Sequence, residues 1–433
     1  MHDANALSRD TAETVARGSY GKLVAFLAAR TGDVAGAEDA LSEAFAAALV
    51  DWPATGIPDS PEAWLVAVAR RKAVDAGRRR RSAEQAAPHL RLIAQELHDL
   101  AGNSADNAVI SDERLSLMFA CAHPAIDAGL RAPLILQTIL GFDASTIASA
   151  FLISPTTMGQ RLVRAKAKIK QAGIPFRVPE RDELGGRLAA VLEAIYAVFA
   201  EGWTDPAGTE TRRRNLAEEG IWLCRLVTTL LPGEPEALGL LALILHAEAR
   251  RAARRDSHGD YVPLADQDPA SWDHAMIEEA EAALSRASRV GVIGRYQLEA
   301  AVQSAHVVRR RTGRSDWAAI ERLYEALAAI TNSPVVTINR AIAVAQTRGP
   351  YAGIALLDTV SADPRLAEYQ PYWAARAELL AQAGYITAAE QAYDYAIGFE
   401  ADPAVRRFLQ RRRAALHGEA SKKKSQTEIT RSR

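Results

Sequence analysis

The chain has 433 residues, 48% of them hydrophobic and 24% charged, with a net charge of −1. That length allows about three domains with sizeable cores, and so balanced a total charge leaves any polyanion partner to be argued from local charge alone. Two distant cysteines, Cys121 and Cys224, exclude a disulfide framework and suit a reducing cytoplasm. Aromatic content is only 6%, and alanine and leucine dominate, so helices are favoured over sheets and the predicted fold class is all-α. There is no signal-peptide stretch and no apolar run of about 18 residues, so a cytoplasmic chain with no membrane span is expected.

Residues 1–12 read as unstructured, followed by a helix over Thr14–Thr31. Asp33 is placed to cap a second helix whose Ala37, Leu41, Ala44, Phe45 and Ala48 share one face. From Asp33 to Asp51 its charges are all acidic, Glu38, Asp39 and Glu43 among them. Such a helix repels DNA. Its face fits either a basic protein partner or plain solvent. The segment WPATGIPDSP, Trp52–Pro61, has three prolines and one glycine and reads as a loop. A third helix begins at Pro61. Between Arg70 and Arg81 it carries seven basic residues against one acidic, Asp75. That density fits a phosphate-binding surface, a localisation signal or a solvated face.

Residues 83–108 read as a linker, and a second helical group spans 109–172. Within it, Gly141–Gln171 forms two helices joined by a tight turn. Ile147 and Phe151 share a face of the first. Ser154 and Pro155 suit the start of the second, whose apolar stripe is Met158, Leu162, Ala165 and Ile169. Thr156, Thr157, Gln160 and Arg161 sit where such a helix would meet base edges in a major groove. Arg164, Lys166, Lys168 and Lys170 sit where it would meet phosphates. An ordinary αα-hairpin with a solvated basic face has the same layout, and Gly159 lowers the helix propensity. Cys121 and His123 have no further ligand at zinc spacing, so no metal or cofactor is expected.

GIPFRVP, Gly173–Pro179, reads as a stiff linker within 173–186. Helices then follow over Arg187–Glu201, Thr211–Leu231, Pro235–Arg251 and Trp272–Ser288. From about Arg295 the helices pair. In Tyr372–Pro403, the residues Trp373, Gly384, Ala389, Tyr393 and Ala396 match tetratricopeptide spacing. Gly349 precedes Gly384 by 35 residues, close to a period of about 34. Stacked helix pairs form a concave surface for a protein or peptide ligand, or simply pack as a solenoid. The helical-repeat domain is expected over 187–416 and a disordered tail over 417–433.

The order DALSEAF, a Pro/Gly loop, PEAWLVAVARRKAVDAGRRRR and then QRLVRAKAKIK resembles a bacterial sigma factor of the extracytoplasmic-function (sigma-70) type. DERLSLMFACAHP at Asp112–Pro124 and the long helical extension resemble the subgroup with a tetratricopeptide-like C-terminal domain. The resemblance covers about residues 8–172. It implies region 2 over 8–82 and region 4 over 109–172. It further implies that Asp39, Leu41, Glu43 and Phe45 dock on core RNA polymerase. Trp52 and its loop, with Arg70, Arg71, Lys72, Arg78, Arg79 and Arg80, would hold the −10 element of promoter DNA. Thr156, Thr157, Gln160, Arg161, Arg164 and Lys168 would read the −35 element. Two residues depart from the family pattern: Thr146 stands where an acidic residue is usual, and Gly159 where a basic one is. No catalytic constellation is visible, so the expected protein is a non-enzymatic sigma factor with a regulatory C-terminal half. A conventional helix-turn-helix regulator with a repeat-type sensor, or a repeat adaptor with incidental basic patches, are the rival readings.

Overall fold

A computed structural model describes residues 2–82, 110–151, 153–203, 211–308 and 313–416. The expected linker 83–108 and tail 417–433 lie outside the described residues. Among the described residues the architecture is all-α, with one isolated antiparallel bridge, Arg255 to Tyr261. The chain divides into two compact units: residues 1–202 with 212–220, and residues 203–211 with 221–433.

The first unit opens with α1 (His2–Thr31), α2 (Val34–Thr55) and α3 (Pro61–Ser82), packed against one another. Helix α1 starts twelve residues before the expected Thr14. Ser8 and Ala12 are buried, so tertiary packing carries the helix across a segment whose composition suggested none. Asp33 caps α2 as expected, its Oδ1 accepting from the Gly36 N–H at 3.0 Å. Leu23, Val24, Leu41, Trp52 and Leu65 fill the core between the three helices.

Four more helices follow: α4 (Arg114–Cys121), α5 (Ala128–Leu140), α6 (Ala144–Ala150) and α7 (Pro155–Gln171). Every residue from Leu115 to Cys121 is buried, the signature of a helix enclosed on all sides. Helix α1 packs on α4 and α5, so the two helical groups form one body. Gly21 makes that approach possible, because a Cβ there would collide with the Ile139 carbonyl of α5. Helix α8 (Arg181–Trp203) also joins this unit: Arg187 Nη2 donates to the Phe119 carbonyl at 2.9 Å.

Helix α9 (Thr211–Leu230) leads into the second unit. There α10 (Pro235–Glu248) is the central helix, buried from Ala237 to His246, with α11 (His274–Ser288) and α12 (Arg295–Val307) packed on it. Gly239 sits at the α10–α12 crossing, where a Cβ would come within 2.6 Å of the Gln297 nitrogen. Glu236 of α10 accepts from the Tyr296 and Gln297 N–H groups at 3.0 and 3.2 Å. Its carboxylate thus satisfies the free donors at the α12 N-terminus from a neighbouring helix.

Then come α13 (Trp317–Ile330), α14 (Pro334–Arg348), α15 (Pro350–Asp358), α16 (Gln370–Gln382), α17 (Ile386–Phe399) and a last helix, α18, over 403–416. Helices α14 and α15 pair, and α16 and α17 pair. The turn of each pair has a glycine at positive φ, Gly349 at 89° and Gly384 at 86°. Successive cores, one around Ile338, Leu357 and Leu379 and the next around Leu380, Tyr393 and Leu409, run along the stack.

Candidate nucleic-acid and partner interface

Helices α6 and α7 meet at a short turn, and local chemistry sets both ends. Asp143 accepts from the Ser145 and Thr146 N–H groups at 2.9 Å each, starting α6. Hydrogen bonds from the Ser145 and Thr146 hydroxyls, with the two amides, hold its carboxyl well below the usual carboxylate range. Ser154 caps α7, accepting from the Thr157 N–H at 3.2 Å, and Pro155 takes the first helical position. Met158, Leu162, Ala165 and Ile169 turn inward as the sequence pattern requires. Gly159 has room for a side chain, since a Cβ would meet only the Ala144 methyl at 3.9 Å. Gly159→Ala is therefore expected to stabilise the first unit by about 0.5–1 kcal/mol, read as a higher denaturation midpoint at unchanged m-value.

Thr156, Gln160, Arg161, Arg164 and Lys168 are exposed, in one broad face of α7. None of Arg161, Arg164 and Lys168 is in an ion pair among the described residues. Thr157 differs from the expectation: it is half-buried and its hydroxyl accepts from Ser154 Oγ at 2.7 Å, so it serves the cap. Lys166 also differs, being buried on the flank of the helix rather than facing outward.

On α2, Asp39 and Glu43 are exposed, and Glu43 lies 3.5 Å from Lys72 of α3. Leu41 is fully buried and Phe45 half-buried, so Leu41 is a core residue and offers nothing to a partner. Trp52 was expected in a loop that captures a base. Instead α2 runs on through Pro53 to Thr55, and Trp52 is 2% exposed, edge-on to Trp64 at 5.5 Å. Burying that indole against α3 sustains the last turn, which Gly56 ends at φ 90° with its N–H on the Trp52 carbonyl. The connection left between α2 and α3 is 56–60.

Arg71 on α3 is exposed. Arg70 is half-buried, its guanidinium over the Phe26 ring at 5.2 Å; burial and then the nearby Arg30 charge push its pKa down. The backbone of Arg78, Arg79 and Arg80 continues α3, and their side chains lie outside the described residues.

Among the described residues no group of three or more His, Cys, Asp or Glu is arranged for a metal. Cys121 is buried 3.5 Å from the Thr138 hydroxyl, and burial pushes its thiol up to about 12. His123 Nδ1 accepts from the Ala125 N–H at 3.1 Å. Among the described residues, no helix is long and apolar enough to cross a membrane.

Two contacts were not anticipated. Lys166 pairs with Glu38 of α2, and Lys170 with Asp33. The signal lies in the sequence, as an all-acidic helix and a basic helix in one chain, but nothing local tells whether each meets an outside partner or the other.

Comparison with known proteins bears on two segments of the chain. The family described as Sigma-70 region 2 matches residues 17–83, which span the second half of α1 and all of α2 and α3. The family of unknown function DUF6596 matches residues 187–288. An uncharacterised protein of Rhizobium meliloti (strain 1021) is 41% identical over 364 residues, covering 83% of this chain and 85% of that protein. No solved structure matches.

Proposed function

We propose that this chain, which carries a Sigma-70 region 2 segment and belongs to one family with the uncharacterised Rhizobium meliloti protein, is a sigma factor that binds core RNA polymerase and directs promoter-specific initiation. The observation that carries the reading is the pairing, in one chain, of the region 2 helices with a capped α7 whose exposed face is polar and basic. In this reading α1–α3 are region 2 and α4–α7 are region 4 of an extracytoplasmic-function type factor. The exposed acids Asp39 and Glu43, with the half-buried Phe45 behind them, meet a basic surface of the polymerase. Arg71, Lys72 and the arginines at the end of α3 hold the −10 strand by its phosphates, and Thr156, Gln160, Arg161, Arg164 and Lys168 engage the −35 element. The two modules act together on one polymerase, so each adds to the other through effective concentration.

The protein works in the cytoplasm by binding rather than by catalysis. Its paired helices α14–α17 form a tetratricopeptide-like array that regulates the DNA-binding half or takes a protein or peptide ligand. The test is transcription in vitro with purified protein, sigma-free core polymerase and DNA from upstream of its own gene. Specific initiation is the expected result. Tight binding to duplex DNA with no affinity for core polymerase would overturn it in favour of a conventional regulator.

A further inference from the structure

The second unit holds positive charge that its own acids leave unneutralised. Residues 248–255 read EARRAARR, and they carry the chain from the end of α10 through a short 3-10 helix, Ala252–Arg254. Two of these four arginines meet a carboxylate: Arg251 reaches Glu248 at 2.8 Å, and Arg255 pairs with Asp402. Arg250 donates only to neutral oxygens, from Nε to the His246 carbonyl at 3.1 Å and from Nη2 to the Gln303 side chain, and lies over the Trp272 ring at 5.8 Å. The Arg254 guanidinium lies over the Trp203 ring at 4.8 Å and makes no hydrogen bond among the described residues. The acids of the loop that follows are engaged elsewhere. Asp256 accepts from the His258 and Asp260 N–H groups, Asp260 holds Arg407 and Arg411 of α18, and Asp268 and Asp273 cap the helices that begin at Pro269 and His274.

A half-buried guanidinium without an acid is costly, and a second one beside it raises the cost. Burial, and then the Arg254 charge, push Arg250 down to about 10, and burial pushes Arg254 down as well. Arg225 and Arg412 of the same unit, which grip Glu279 and Glu378, are pushed up instead. Packing accounts for part of the arrangement, since Arg250 ties α10 to Gln303 of α12. It does not account for Arg250 Nη1 or for any nitrogen of Arg254. Solvent reaches these unbonded nitrogens, and so can a ligand.

We propose that Arg250 and Arg254 form a binding site for a small dianion, a phosphate or a dicarboxylate. Two planar guanidinium forks match the paired oxygens of either group, and two uncompensated charges call for a doubly charged partner. The Trp203 and Trp272 rings back the two guanidiniums and lower the local dielectric, which strengthens a bond to an anion. Both arginine side chains are half-buried, which favours a small ion over a protein surface. The site lies inside the segment 187–288 matched by the family of unknown function. It goes beyond the sigma-factor reading and gives the C-terminal half a ligand of its own.

The test is calorimetric titration of the full-length protein with inorganic phosphate and, separately, with succinate, at an ionic strength held constant with sodium chloride. Saturable binding of at least one is expected. Phosphate alone assigns a phosphoryl ligand, succinate alone a dicarboxylate, and both together a site defined by charge. Arg254→Gln should weaken the binding about tenfold or more, the worth of a pair of charge-assisted hydrogen bonds. Arg254→Lys keeps the charge and covers the case in which glutamine disturbs the fold; losing the fork, it should weaken binding several-fold. Arg289→Gln removes the same charge from an exposed position at the end of α11 and should change nothing. The proposal is overturned if wild type binds neither anion saturably, if neither Arg254 substitution reduces binding, or if Arg289→Gln reduces it equally. Neither polymerase nor DNA enters the measurement, so failure of the sigma-factor reading produces none of these results.

Discussion

Trp52→Ala is expected to destabilise the first unit by about 3–5 kcal/mol, the range for emptying a buried aromatic site. The indole is 2% exposed and edge-on to Trp64, at the place where α2 hands over to α3. Its removal leaves a cavity between the two helices and frees the final turn of α2, which holds Pro53 in its interior. Trp52→Phe separates packing from polarity. The Trp52 Nε1 has no hydrogen-bond partner, so phenylalanine loses no bond and removes an unsatisfied donor. The cost of that change is expected to stay under about 1.5 kcal/mol. Denaturant unfolding of both variants provides the check. A Trp52→Ala protein that unfolds like the wild type yet fails to open promoter DNA would return this residue to the base-capturing role its sequence context suggested.

Trp52 also shows why one part of the site was legible in the sequence and another was not. Helix starts were readable because their causes are local: Asp33 lies three residues before the amide it caps, and Ser154–Pro155 fixes the entry to α7 within one turn. The inward face of α7 followed from periodicity alone, and Met158, Leu162, Ala165 and Ile169 are all buried. The glycine turns at Gly349 and Gly384 followed from spacing. The misread residues depend on contacts distant in sequence. Trp52–Pro61 has the composition of a loop, but Trp64 across the α2–α3 corner draws Trp52 into the core. Leu41 belongs to the apolar face of α2, and that face meets α1 and α3 rather than a partner. Lys166 was assigned to DNA because a basic residue on a basic helix has no local reason to be buried; its reason is Glu38, 128 positions earlier in the chain.

Arg161→Ala and Lys168→Ala are expected to weaken promoter binding in different ways, and the difference tests how α7 meets DNA. Both residues are exposed on the same broad face. Arg161 lies in the second turn of α7, within reach of base edges once the N-terminal turns enter a major groove. Its loss should cost about 1–3 kcal/mol on the cognate −35 element and flatten the preference at one base position. Lys168 lies in the last turn, where a groove-bound helix has drawn level with the phosphates. Its loss should weaken cognate and scrambled duplexes alike and lower the salt slope of binding by about 1. The measurement is holoenzyme binding to both duplexes across a salt series. If Arg161→Ala also weakens both duplexes equally, α7 acts as a charged rod and promoter choice rests on the α1–α3 half. If neither change alters affinity or slope, the exposed face of α7 is a solvated surface and the −35 assignment fails, whatever α1–α3 does at −10.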